Sequence, residues 1–144
     1  MENKNLGIMV REELYLAIKE RLGALDEVQH IDLWNSNVEF IEEDAAWARP
    51  AVFVEFTPIL WEQVSGHREQ RGSCQVRLHI VTDWSEDASG TSVFAYSKKI
   101  QCALMGLHGS YFHAFQLVET HTNHNHEEIV ESIEVYKLRC VRSL

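Results

Sequence analysis

The sequence predicts an α+β fold: a mainly antiparallel β-sheet with two amphipathic helices packed on one face. Three observations predict it. Two stretches carry apolar residues at three- and four-residue intervals, the segments around them alternate with period two, and 144 residues of near-average composition supply one core. A single domain over 1–144 is therefore expected, with residues 1–7 as a flexible N-terminus.

The first helix is expected over Val10 to Leu25, where Val10, Leu14, Ile18, Leu22 and Leu25 form one apolar stripe. Glu12 and Glu13 in its first turn complement the helix dipole, and Gly23 weakens its end. A short strand comes next at Gln29–Trp34, closed by the turn formers Asn35, Ser36 and Asn37. Residues Glu39 to Asp44 form an acidic connection leading to Pro50. Ala51–Phe56 is the most β-prone hexamer in the chain and is expected to be a central strand.

Leu60–Val64 reads as extended, Ser65–Gly72 as a polar loop, and Ser73–Val81 as a strand whose Cys74, Val76, Leu78 and Ile80 alternate with Gln75, Arg77 and His79. Together they suggest a long hairpin. A second helix is expected over Val93–Leu107, with Val93, Tyr96, Ile100, Ala103, Leu104 and Leu107 inward, Ser97, Lys98 and Gln101 outward, and an end near Gly109. Two strands close the chain: Tyr111–Glu119, a polar turn through Thr120–His126, then Ile129–Val141, whose alternation changes phase near Val135, as a bulge or a strand end placed elsewhere would produce. The sheet face away from the helices is left with residues such as Trp34, Phe53 or Phe56, which sheet curvature or a neighbouring subunit must cover.

The chain offers little catalytic chemistry. His121, His124 and His126, with Glu127 and Glu128, are the densest set of metal-ligand types, but H-x-x-H-x-H on one hairpin turn matches no strong zinc motif, and a solvated loop is the plainer reading. No cofactor is expected. Cys74, Cys102 and Cys140 are widely spaced and fall on element faces, as small buried hydrophobes in a reducing compartment do. Phosphate-cradling glycine motifs and a Gly-x-Ser-x-Gly elbow are absent. No segment is long and apolar enough for a membrane span or a secretory signal, so a soluble intracellular protein is expected. A net charge of −9 argues against a protein built to grip nucleic acid, and His67, Arg68 and Arg71 are too few to form a basic stripe. Trp34, Trp47, Trp61 and Trp84 all fall outside the helices, as core residues or as interface anchors.

The order of the helix ending Arg21–Leu25, the Pro-led strand Arg49–Phe56, the hairpin ending Val76–Val81, the helix Ser92–Leu107 and the closing strand Ile129–Cys140 resembles the tail-terminator or tail-completion proteins of long-tailed bacteriophages and prophages. The resemblance lies in layout, size and hydrophobic pattern over residues 8 to 142. It implies a non-enzymatic head–tail joining protein that forms a homo-oligomeric ring, typically a hexamer, between tail tube and head connector. DNA would pass through in transit, in the host cytoplasm during assembly and then in the virion tail or neck. Interface candidates are Trp47, Trp61, His67, Arg68 and Arg71; Glu39, Glu42, Glu43 and Asp44 are candidates for an acidic lumen or edge. The charge fits this picture, because residues 28–71 hold eight acidic against three basic residues. The alternatives are a small metal-dependent hydrolase using the His121–Glu128 cluster and a monomeric ligand-binding α+β module.

Overall fold

The computed structural model describes residues 9–35, 47–64, 66, 69–83, 92–123 and 129–143. In chain order the elements are α1 (Val10–Gly23), β1 (His30–Leu33), β2 (Ala51–Phe56), β3 (Leu60–Gln63), β4 (Glu69–Asp83), α2 (Ser92–Leu104), β5 (Phe112–Asn123) and β6 (Ile129–Ser143). The six strands form one sheet in the order β1-β2-β4-β6-β5, with β3 beside β4. Only the β1–β2 pair is parallel; the others are antiparallel, so the expected α+β class with a mainly antiparallel sheet is what the chain adopts.

The long strands set the frame. β4 and β6 pair without interruption from Glu69↔Ser143 to Asp83↔Ile129. On its other side β4 meets β2 over Val76–Val81 and then β3 over Gln70–Ser73, so β2 and β3 lie end to end along one edge of a single longer strand. Thr57 carries the register across the gap between them: its N–H and hydroxyl both donate to the Gln75 carbonyl, at 3.1 and 2.8 Å.

Both helices lie on one face. Val10, Leu14, Ile18 and Leu22 of α1 and Val93, Ile100 and Leu104 of α2 bury against Val52, Val54, Val76, Leu78, Ile80 and Leu138. Each fully buried side chain of this size contributes roughly 1.5–3 kcal/mol relative to exposure. Two charged residues of α1 tie it to α2 and to the entry of β5. The Arg21 guanidinium donates to the Ala103 and Met105 carbonyls at 2.7 and 3.4 Å, closing the C-terminal end of α2 where the dipole favours a cation. The Glu13 carboxylate accepts the Ser110 and Tyr111 N–H groups at 2.8 and 2.9 Å, just before β5 begins.

Several expectations are corrected. α2 ends at Leu104 instead of Leu107, because Gly106 adopts φ +74° and turns the chain there. Ser97 points inward with Val93, Ile100 and Leu104, since the 93, 97, 100, 104 stripe is the one that meets the sheet. Phe56 packs in the helix-side core, as its register opposite Val76 requires, while Trp34 and Phe53 do lie on the other face. Glu69–Gly72 belong to β4 and Thr120–Asn123 to β5, because cross-strand pairing with β6 continues through these polar residues. The phase change in β6 is not a bulge: its pairing with β4 is unbroken, and the irregularities fall in β5, between His113 and Gln116 and between Leu117 and Glu119. Ser132 and Glu134 instead occupy buried polar positions on the helix face, where Gln101 and Thr120 donate to the Glu134 carboxylate. Cys102 is exposed on α2, while Cys74 and Cys140 are buried.

Candidate functional site

The sheet face opposite the helices has two different ends. At the β1–β2 end, Trp47, Ala51, Phe53, Val81 and Ile129 form a second, smaller buried cluster, with Trp34 packed on it. The ring of Trp47 meets Phe53 edge-on at 5.0 Å, and His30 lies beside both. The backbone explains the gathering. The parallel β1–β2 register puts His30 beside Ala51, and Asp32 beside Phe53, on this face, and the Trp34 N–H donates to the Val54 carbonyl at 2.8 Å, so Trp34 extends the same row.

Beside the aromatic cluster is a buried polar group. His79 Nδ1 lies 2.5 Å from Glu131 Oε2, and Nε2 lies 2.7 Å from Glu55 Oε1. The Asn123 amide donates to Glu131 Oε1 at 2.9 Å, and Arg77 stands 3.6 Å from Glu55. Both nitrogens of one imidazole face carboxylates, and the contact at Nδ1 gives the buried Glu131 a polar partner. Alternation with Cys74, Val76 and Leu78 predicts a wet face for His79, yet it is only 5% exposed. The sequence signal for its burial is weak because its partners are 24 and 52 residues away. The group is a closed structural network, with every polar edge of the imidazole occupied.

The opposite end of this face is open. Where β3, β4, β6 and β5 run side by side, a groove of about 480 Å³ is lined by Leu60, Glu62, Arg71, Ser73, His113, Arg139 and Val141, among others. Strand register brings these residues together: Leu60 pairs with Ser73, Ser73 with Arg139, Arg139 with His113, and Arg71 with Val141. Leu60 is 73% exposed at its rim. Among the described residues Lys137 and Arg139 make no ion pair, and Arg71 has only Glu69, at 3.8 Å with both side chains largely in solvent. Glu62 stands opposite Arg71 in the β3–β4 register, so the groove holds both signs of charge.

The candidates from the sequence scatter. Trp47 is buried inside its own chain at 8% exposure, with the Arg49 guanidinium 4.8 Å above its ring. Trp61 is half-buried against the helix-side core, with the Arg142 guanidinium 5.1 Å from its ring, while Arg71 is on the groove of the other face. His121 is exposed on β5 and paired with Glu119. His67, Arg68, His124, His126, Glu39, Glu42, Glu43 and Asp44 lie outside the described residues. Among the described residues no three metal-ligating side chains converge. The groove is hidden in the sequence because Arg71, His113 and Arg139 come from three strands and only register joins them.

One more surface is available. β5 pairs only with β6 among the described strands, so its outer edge is open, and Leu117 and Val118 are exposed along it. No helix of the described residues is long and apolar enough to cross a membrane.

The sequence matches no protein-family model and no curated protein. Among solved structures, the fold is similar to a chain of the "virion of native gene transfer agent (GTA) particle", with a TM-score of 0.54 and 10% sequence identity. The similarity covers 97% of this chain and 100% of that one. At this identity it establishes a shared fold.

Proposed function

We propose that this chain is a structural, non-enzymatic component of a phage-like particle, acting as a tail terminator or head–tail joining protein. In this reading it forms a homo-oligomeric ring, a hexamer in the form its layout suggests, that caps the tail tube and lets DNA pass. Its partners are further copies of itself, the tail-tube protein and the head connector. The observation that carries the reading is the end-to-end fold similarity to a virion chain, which spans nearly the whole of both folds. Two features of the surface support it. The open groove and the unpaired β5 edge lie on the sheet away from the helices, and such surfaces in one subunit are what a ring of subunits buries.

The test is electron microscopy of the purified chain, alone and mixed with the tubes formed by the tail-tube protein encoded beside it. Closed rings, or density capping one end of the tubes, are the expected result. Tubes that grow uncapped beside a chain that never assembles would remove the proposal, as would flanking genes devoted to metabolism.

A further inference from the structure

We infer that Cys74 and Cys140 are a redox-sensitive pair, two thiols of the helix-side core that a peroxide converts to a disulfide joining β4 to β6. Register brings them together. Cys74 stands opposite Leu138 and Cys140 opposite Gly72, so the two cysteines share one face of adjacent strands, one cross-strand pair apart. Gly72 sets no side chain beside Cys140, and Ile59 and Trp61 close over that position, where a Cβ would stand 3.1 Å from both. Each thiol is the largest influence on the ionisation of the other. The neighbouring Cys140 holds Cys74 below its ordinary value against the effect of burial, with Thr57 and Arg11 acting in the same sense, while Cys74 and burial raise Cys140. Both side chains are shielded, at 4% and 1% exposure, so the oxidant that reaches them is a small one.

The two sulfurs take different parts. Cys74 is the attacking thiolate and Cys140 the thiol that resolves it. The Cys74 thiolate attacks one oxygen of hydrogen peroxide, the O–O bond breaks and hydroxide leaves, which gives the sulfenic acid. Cys140 passes its proton to that hydroxide and attacks the sulfenic sulfur; the S–S bond forms, the S–O bond breaks, and the second hydroxide takes up the proton that Cys74 released. Two thiols and one peroxide become one disulfide and two waters, the thiols losing the two electrons that the peroxide gains. The Gly72–Cys140 pair is the fourth from the paired ends of β4 and β6, where the strands can give by the small shift that disulfide geometry asks. Ser73, Arg139 and Val141, which line the groove, are next to the two cysteines in the chain, so the link fixes the register of the groove's central strands. It also closes a long loop of chain, which restricts the unfolded state.

The Cys102→Ser chain isolates the pair, because Cys102 is exposed and the substitution leaves the core untouched. Treated with hydrogen peroxide in the absence of denaturant, it should lose two hydrogen atoms and gain no oxygen by mass spectrometry, and peptide mapping without reductant should join the peptides that carry residues 74 and 140. The melting temperature should rise by about 5 °C or more and return to its starting value with dithiothreitol. Adding Cys140→Ala to the same chain should stop the reaction at the Cys74 sulfenic acid, which dimedone traps; no trapping would overturn the assignment of Cys74 as the attacking sulfur. Stable addition of oxygen in the Cys102→Ser chain with no link overturns the pair itself. So does a link that forms only in denaturant, or one that joins two chains instead of residues 74 and 140 of the same chain.

Discussion

Trp34 and His79 stack face to face, their ring centroids 3.6 Å apart and their planes within 1°. The indole extends the edge strand β1 and the imidazole is in β4, the middle strand, so the stack passes over β2 and ties the parallel edge to the centre of the sheet. It also covers one face of a ring whose two nitrogens are already occupied by Glu55 and Glu131. The indole shields that side of the imidazole from water, and the burial of His79 and Glu131 raises the cost of breaking their contact.

The first prediction concerns that cost. His79→Leu removes a hydrogen-bond partner of Glu131, which is 2% exposed, and should lower unfolding free energy by about 2 kcal/mol, since a buried polar group that loses its partner keeps its desolvation cost. Adding Glu131→Gln to the same chain should recover a large part of the loss. Urea unfolding of the single and double variants measures both. A loss below about 1 kcal/mol in His79→Leu would show that the network is not holding the sheet.

The second concerns the junction of α1 with β5. Glu13 accepts two backbone N–H groups, and a Cβ at Gly109 would stand 2.5 Å from Glu13 Oε1 and 2.7 Å from the Phe112 ring. Gly109→Ala must therefore displace the carboxylate. Glu13→Ala and Gly109→Ala should each destabilise by about 2 kcal/mol, the range for losing hydrogen bonds to a charged group. The double variant should cost less than the sum of the two, the contact of the added Cβ with Phe112 remaining. Additive losses in thermal unfolding would mean that the two residues act separately.

How much of the fold is legible in the sequence differs from residue to residue. Local signals give both helices and the strand at Ala51–Phe56, because a stripe such as Val10, Leu14, Ile18, Leu22 depends only on neighbours a turn away. Strand ends are less legible. Glu69–Gly72 and Thr120–Asn123 carry loop-like composition, and what makes them strands is pairing with β6, a contact between residues far apart in the chain. The site is less legible still. Arg71 stands out in the sequence, but the groove that gives it meaning needs Arg139 and His113 placed by register, and the His79 network joins β2, β4 and β6.

The third prediction is a pH dependence. The Lys99 ammonium beside Glu27 holds the Glu27 carboxyl below its ordinary value, and the same contact raises Lys99 above its own. A carboxylate with a depressed folded value contributes stability above its unfolded value, near 4.5, and loses it as pH falls through the lower folded value. Lys99 contributes below its unfolded value, near 10.5, and loses that as pH rises through the higher folded one. The gap in melting temperature between wild type and Glu27→Gln should therefore be flat from about pH 6 to about pH 9 and narrow on both sides. Both side chains are exposed, so about 0.5 M salt should shrink the whole gap. A gap that widens towards acid would reverse the assignment.

The last prediction concerns thiol access. Cys102 is exposed on α2, whereas Cys74 and Cys140 are buried in the helix-side core. The neighbouring Cys140 thiol, the largest influence, holds Cys74 below its ordinary value, and the Cys74 thiol, with burial, pushes Cys140 above its own. The lowered value favours attack by Cys74. Burial opposes it, because a reagent reaches Cys74 only when the packing around it opens locally. In the folded protein a disulfide reagent should therefore modify Cys102 rapidly and the other two at least about 100-fold more slowly. Cys102→Ser should abolish the fast phase, and all three should react together in denaturant. A fast phase that survives Cys102→Ser would place the opening at Cys74, and the strands that wall the groove would then be loose in the free subunit.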